Sequence, residues 1–253
     1  MKRFFKLIVT GILSFTLGAG IGLGVIYSAQ QSAKVTSLGE VEQITNITKD
    51  LASSHRRTIR KSRSSSVRIM SLSDDQQVFA SATGTYFTAY GRYFVLTVNH
   101  GIQGPCELTR VEASDEFVDC VRYIDLNERV DYALVEIEKL STRTPIKIPQ
   151  DVAKDDLDFA IMTEIYYTGF PNGAGPLTLD GKIIGYMSGD FIYVKSYAWS
   201  GSSGAGVFAS NGKLIGYVLA LDVGYTEYGI DVLENIVFVV PVTAVRWDSL
   251  REE

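Results

Sequence analysis

The chain opens on an uncharged, apolar run over residues 7–27, LIVTGILSFTLGAGIGLGVIY, immediately after Lys2, Arg3 and Lys6. Its length is close to the ~20 residues that a helix needs to cross hydrocarbon. A polar stretch follows over residues 28–66. Within it Leu38, Val41, Ile44, Ile47 and Leu51 recur at three- and four-residue spacing, which predicts an amphipathic helix. Beyond Ser66 the pattern becomes one of short β-rich runs broken by Gly, Asn and Asp. They fall at 67–70, 86–89, 93–97, 117–124, 133–137, 182–186, 191–194, 206–208, 214–221 and 236–240. Turn signals such as Tyr90-Gly91, Asp180-Gly181 and Asn211-Gly212 separate them, and the spacing predicts an all-β barrel or sandwich. Only residues 242–251 read as helical in this part, with Pro241 suited to the first turn.

Three segments follow from this pattern: 1–28, 29–63 and 64–253. The first reads as a signal anchor. A cleavable signal peptide is the competing reading, but its apolar region runs roughly 7–15 residues before a small-x-small site. Here the run is longer, and Tyr27 stands where a small residue is wanted. The basic residues before it predict a cytoplasmic N-terminus and an extracytoplasmic body. The second segment reads as a polar and basic juxtamembrane connector, carrying the amphipathic helix and the cluster from His55-Arg56-Arg57 to Arg63. A solvated connector is the simpler reading of that cluster, and contact with anionic headgroups the alternative.

Charge sharpens the division. The 253 residues carry a net charge of -5, but residues 1–68 hold 11 Lys+Arg against Glu40, Glu42 and Asp50, a net +8. The remainder holds 13 basic and 26 acidic residues, a net -13. A body of that sign argues against nucleic acid as a partner. At 46% hydrophobic and 21% charged, the chain has ample means to bury a core. Its two cysteines, Cys106 and Cys120, lack metal-ligand spacing; a disulfide and two buried thiols both fit the sequence.

Candidate chemistry lies in three short stretches. Leu96-Thr97-Val98-Asn99-His100-Gly101 is a β run ending in a histidine, and Asp131-Tyr132-Ala133-Leu134-Val135 begins an apolar strand with an aspartate. Ser200-Gly201-Ser202-Ser203-Gly204-Ala205-Gly206 is a small-residue turn leading into another strand. Each alone is ordinary. Together they supply a hydroxyl nucleophile, an imidazole to take its proton and a carboxylate to orient that imidazole. A tight glycine turn also lets backbone N–H groups converge on a developing oxyanion.

On these motifs the body resembles trypsin-like serine peptidases of the chymotrypsin fold, closest to the HtrA (Deg) branch. Thr97-Val98-Asn99-His100, Asp131-Tyr132-Ala133-Leu134 and Gly201-Ser202-Ser203-Gly204-Ala205 resemble that family's three motifs, in the same order. Gly169-Phe170-Pro171-Asn172-Gly173 and Asn211-Gly212-Lys213-Leu214 are similar to its secondary landmarks. The resemblance implies two six-stranded antiparallel β-barrels with a short C-terminal helix, preceded here by the transmembrane helix. It further implies Ser203 as nucleophile, His100 as base and then acid, and Asp131 as the residue orienting His100. Gly201 and Ser203 would supply the oxyanion-hole N–H groups. No metal or organic cofactor is needed, the substrate is a polypeptide, and homo-oligomerisation is left open.

The chain also departs from the pattern. Ala205 replaces the second glycine of the nucleophile motif, and Ser202 stands where digestive relatives carry the Asp that pairs with a freed N-terminus. The sequence ends just after the closing helix, without room for the PDZ domain typical of HtrA proteins. In the family register Tyr197 falls at the base of the primary specificity pocket, with Ala198 beside it and Trp199 at the entrance. Val218, Leu219 and Ala220 would line its wall, predicting preference for a small or medium apolar residue. The expectation is a membrane-anchored serine endopeptidase. Its rival is a catalytically silent protein of the same fold, acting as an anchored peptide-binding scaffold.

Overall fold

The computed structural model describes residues 38–187, 191–226 and 229–251. The expected anchor therefore lies outside the described residues. Among these, no helix is long and apolar enough to cross a membrane. The chain divides into two units, Met1–Asp50 and Leu51–Glu253. Of the first, only the opening of helix α1 (Leu38–Ser65) is described. The rest of α1 belongs to the second unit with all of the strands.

Six strands close the first barrel: β1 (Ser66–Leu72), β2 (Val78–Ala89), β3 (Arg92–Thr97), β4 (Thr109–Ala113), β5 (Glu116–Asn127) and β6 (Tyr132–Ile137). Their order is β1-β4-β5-β6-β3-β2, and antiparallel pairing of β1 with β2 completes the ring. A two-residue strand, β7 (Ile146–Lys147), adds to β2 in parallel. The second barrel comprises β8 (Glu164–Gly169), β9 (Leu177–Tyr186), β10 (Ile192–Lys195), β11 (Gly206–Ala209), β12 (Leu214–Thr226) and β13 (Gly229–Pro241). These close in the order β10-β13-β12-β11-β8-β9. The double barrel expected from sequence is thus present. Closure leaves neither sheet with a long unpaired edge.

Period-two burial explains the strands. Along β4 buried and half-buried residues alternate, placing Thr109, Val111 and Ala113 inward. The second barrel packs around Ile165, Tyr167, Ile183, Val194, Val207 and Val239. Phe208, Tyr217 and Val240 come from its strands but are buried in one cluster with Phe87, Phe94 and Leu134 of the first barrel. The two barrels therefore share apolar surface.

Three local expectations need correction. Strands β4 and β8 were not anticipated; β4 is short and studded with Arg110 and Glu112, and β8 hides behind a tyrosine pair. The closing helix is instead two 3-10 segments, Val242–Ala244 and Trp247–Arg251. The Trp247 indole N–H donates to the Val242 carbonyl at 3.0 Å and its ring meets Phe87 edge-on, while Arg246 reaches back to Asp125 at 2.7 and 3.1 Å. Those anchors hold the segment against the first barrel in place of a continuous α-helix.

The connector is the third. Residues 52–65 continue α1 and lie on the second barrel through polar contacts. Thr58 Oγ1 donates to Ser210 O at 2.8 Å, Ser62 Oγ to Thr168 Oγ1 at 2.9 Å, and Lys61 Nζ to Gly212 O and Asp151 Oδ1, each at 2.9 Å. Thr58 and Ser62 are buried. Ser64 and Ser65 turn their hydroxyls back onto Lys61 O, ending the helix where β1 begins. Cys106 and Cys120 form a disulfide that ties the β3–β4 connection to β5.

Phe208→Ala tests the shared core. The substitution is expected to cost about 3–5 kcal/mol. Urea unfolding followed by fluorescence and by circular dichroism should show one lowered midpoint common to both probes. Two separated transitions would mean that the barrels do not depend on one another.

Candidate active site

The site is built on connections rather than on strands. His100 lies in a 3-10 turn, Asn99–Gly101, directly after β3. Asp131 ends the β5–β6 turn at a left-handed φ of 54°, a conformation that Asp tolerates better than most residues. Its carboxylate engages His100 twice: Oδ1 accepts the His100 backbone N–H at 2.8 Å, and Oδ2 takes the imidazole Nδ1–H. The Asp131 carbonyl accepts the Asn99 N–H at 3.2 Å. From the second barrel, Tyr217 donates its hydroxyl to Val130 O at 2.7 Å, fixing the turn from behind.

This contact sets the electrostatics. The hydrogen bond to Asp131 raises the His100 pKa above 6.5; burial opposes the shift and the Asp131 charge adds to it. The side chain is nevertheless half exposed.

Ser203 sits in the turn before β11. Its neighbours are held by backbone hydrogen bonds: Ser202 N–H to Trp199 O at 2.8 Å, Gly204 N–H to Val218 O at 2.7 Å, and Ala205 N–H to Ser202 O at 3.1 Å. Among the described hydrogen bonds the N–H groups of Gly201 and Ser203 donate to none. Gly201 and Gly204 have φ of 91° and 86°; a Cβ would meet Phe170 O at 2.6 Å and Thr83 O at 2.0 Å, respectively. Glycine is required at both for conformation and for space.

One threonine joins this turn to the first barrel. Thr83, in β2, is completely buried. Its N–H donates to Ser203 O at 2.8 Å and its hydroxyl to Gly201 O at 2.7 Å. The same hydroxyl accepts the Phe170 N–H at 2.9 Å, and the Thr83 carbonyl accepts from Thr97 Oγ1 at 2.7 Å. Asn172 N–H donates to Ser200 O at 2.6 Å from the same 170–173 turn. Sequence reasoning missed Thr83, whose β-branched side chain in a strand carries no signal of a role.

His100 and Asp131 are therefore brought together. No hydrogen bond among the described residues joins Ser203 Oγ to His100; such bonds are often long in substrate-free sites. Nor does any group of three or more His, Cys, Asp and Glu side chains among these residues converge as metal ligands would.

A family model of the trypsin-like peptidase domain matches residues 82–216, over half of the chain, and spans all three motifs. The chain belongs to the trypsin-like peptidase family. It is accordingly a serine protease, a hydrolase. No curated protein sequence matches it. Among solved structures it is similar to the serine endoprotease from Yersinia pestis, with a TM-score of 0.60 and 19% identity. That match covers 78% of this chain and 67% of the other, and the likeness is one of fold.

The residues of this trypsin-like peptidase expected at the specificity pocket lie in and beside the second barrel. Tyr197 is 53% exposed and stacks on Trp199, with ring centroids 6.2 Å apart. Tyr197 lines a cavity of about 960 Å³ with His55, Tyr166 and Lys195, and no residue of the three motifs borders it. Ala198 is buried in the second barrel's core, and so is Val218, whose backbone groups brace Gly204 and Ala205. Leu219 is half buried, and Ala220 pairs with Phe238 along β12. Ser202 is buried, with its Oγ accepting the Trp199 N–H at 3.2 Å.

Thr83→Val keeps the branched shape and removes the hydroxyl. Gly201 O and Phe170 N–H then lose a buried partner, at about 1–3 kcal/mol each. Steady-state kinetics on a peptide substrate should show kcat lowered about tenfold or more with the fold intact. Unchanged kcat would mean that the hydroxyl does not position the turn.

Proposed function

We propose that this peptidase cleaves polypeptides by nucleophilic catalysis, with Ser203 attacking the scissile carbonyl and His100 taking its proton. His100 then returns the proton to the leaving amine, and water releases the acyl-enzyme by the same route. Asp131 holds the productive tautomer and stabilises the imidazolium. The N–H groups of Gly201 and Ser203 receive the oxyanion, a contribution of about 10²–10³ in rate for one donor. The observation that carries this reading is the double engagement of His100 by a carboxylate 31 residues away, one oxygen on the ring and one on the backbone.

We further propose that residues 1–28 anchor the enzyme and that the body lies outside the cytoplasm. The Cys106–Cys120 disulfide supports this, since such bonds persist in oxidising compartments. Deleting residues 1–28 should move activity from the membrane pellet to the soluble fraction. Activity that still sediments would refute the anchor.

The rival scaffold reading draws on the absence of a described bond from Ser203 to His100. A fluorophosphonate probe decides between them. The full chain is expected to label and Ser203→Ala not to; a folded wild type that stays unlabelled would overturn the catalytic reading.

The pH profile follows from the raised His100 pKa. The base must be neutral, so kcat/KM should climb with pH through a midpoint above 6.5 and then level off. Asp131→Asn should shift that midpoint down and reduce the rate by about 10⁴. The stability term has the opposite sense: the charged pair stabilises fully below 6.5 and is lost as pH rises through the folded-state value.

A further inference from the structure

The basic residues of α1 do not all serve its docking. Arg56, Arg60 and Arg63 recur at four- and three-residue spacing and so share one helix face. With Ile59, Ser64, Ser114, Arg143 and Pro176 they line a groove of about 570 Å³ that contains no carboxylate. Among the described residues neither Arg56 nor Arg60 has a hydrogen-bond or ion-pair partner. Arg63 donates to Pro176 O at 3.2 Å and to Thr178 Oγ1 at 2.9 Å, both uncharged. Arg143 donates to Ser66 O, Ser114 Oγ and Thr142 O, again without a counter-charge.

Four arginines thus line one space. Glu116, whose charge Arg143 feels, is already occupied by the Ser141 and Thr142 N–H groups at 2.9 Å each. Burial, with the Arg63 charge beside it, holds Arg143 below the ordinary guanidinium value. A second cavity, of about 310 Å³, shares Ser114, Arg143 and Pro176 with the first and adds Arg68. The Arg68 Nε is buried there without an acceptor, although Nη1 is paired with Glu112 at 3.1 Å. Planar forks of this kind match the oxygens of a phosphate group.

We infer that the groove formed by Arg56, Arg60, Arg63 and Arg143 is a binding site for a phosphate group, free or carried on a lipid headgroup. Its lining includes none of His100, Asp131 and Ser203.

Phenylglyoxal modification of the detergent-solubilised full chain, followed residue by residue by mass spectrometry, tests it. In one arm the competitor is inorganic phosphate. In the other the chain is reconstituted into phosphatidylcholine vesicles with or without phosphatidylglycerol. Labelling of Arg60 and Arg143 should fall about tenfold once the anion reaches roughly ten times its dissociation constant. Arg110 and Arg129, outside the groove, should label as before. The double substitution Arg56→Gln/Arg60→Gln, at exposed positions that leave the docking contacts of α1 intact, should abolish protection at Arg143. Protection by free phosphate identifies a soluble anion as sufficient, and protection only with phosphatidylglycerol identifies the headgroup. No protection in either arm, or equal protection at Arg110 and Arg129, overturns the inference.

Discussion

The proposed chemistry of this peptidase depends on Thr83, through which one barrel holds the Ser203 turn of the other. His100 and Asp131 are carried by connections of the first barrel, and Ser203 by a connection of the second. Apolar packing between barrels sets their distance only coarsely, because it has no direction. Thr83 supplies direction. Its N–H fixes the Ser203 carbonyl and its hydroxyl fixes the Gly201 carbonyl, so the peptide groups that follow Gly201 and Ser203 are both held from outside the turn. Completely buried and hydrogen-bonded at every polar atom, Thr83 is locked by the barrel it belongs to.

The rest of the architecture can be read as support for that junction. Gly204 exists to let the turn approach Thr83 O, where any side chain would collide. Tyr217 crosses in the other direction, from β12 to the backbone just before Asp131. Farther out, Arg246 pairs with the buried Asp125, whose pKa burial pushes up but which the Arg246 and Tyr132 hydrogen bonds hold below its ordinary value. That pairing ties the C-terminal 3-10 segment to the strand leading into the Asp131 turn. Phe208, Tyr217 and Val240 then add apolar contact common to both barrels.

The sequence made some of this visible and concealed the rest for physical reasons. Strands with apolar alternation were legible, and the motifs holding His100, Asp131 and Ser203 stood out because the proposed chemistry demands those residue types in that order. Helix α1 was legible only while an apolar stripe ran along it. From Ser54 onward its contact face is Ser, Thr and Lys bonded to backbone carbonyls, which in sequence is indistinguishable from a solvated connector. Strand β8 was lost for lack of alternation, since five of its six residues are buried. Thr83 was illegible because its importance lies in which carbonyls it meets.

The junction is tested most directly by a crystal structure of the full chain carrying a covalent phosphonate on Ser203. The phosphonyl oxygen should lie within hydrogen-bonding distance of the Gly201 and Ser203 N–H groups. Both Thr83 bonds to the turn should be retained, with Asp131 still on the backbone N–H and the Nδ1 of His100. An adduct whose oxygen points away from those N–H groups while the Thr83 bonds persist would contradict the assignment of this turn as a preformed oxyanion site.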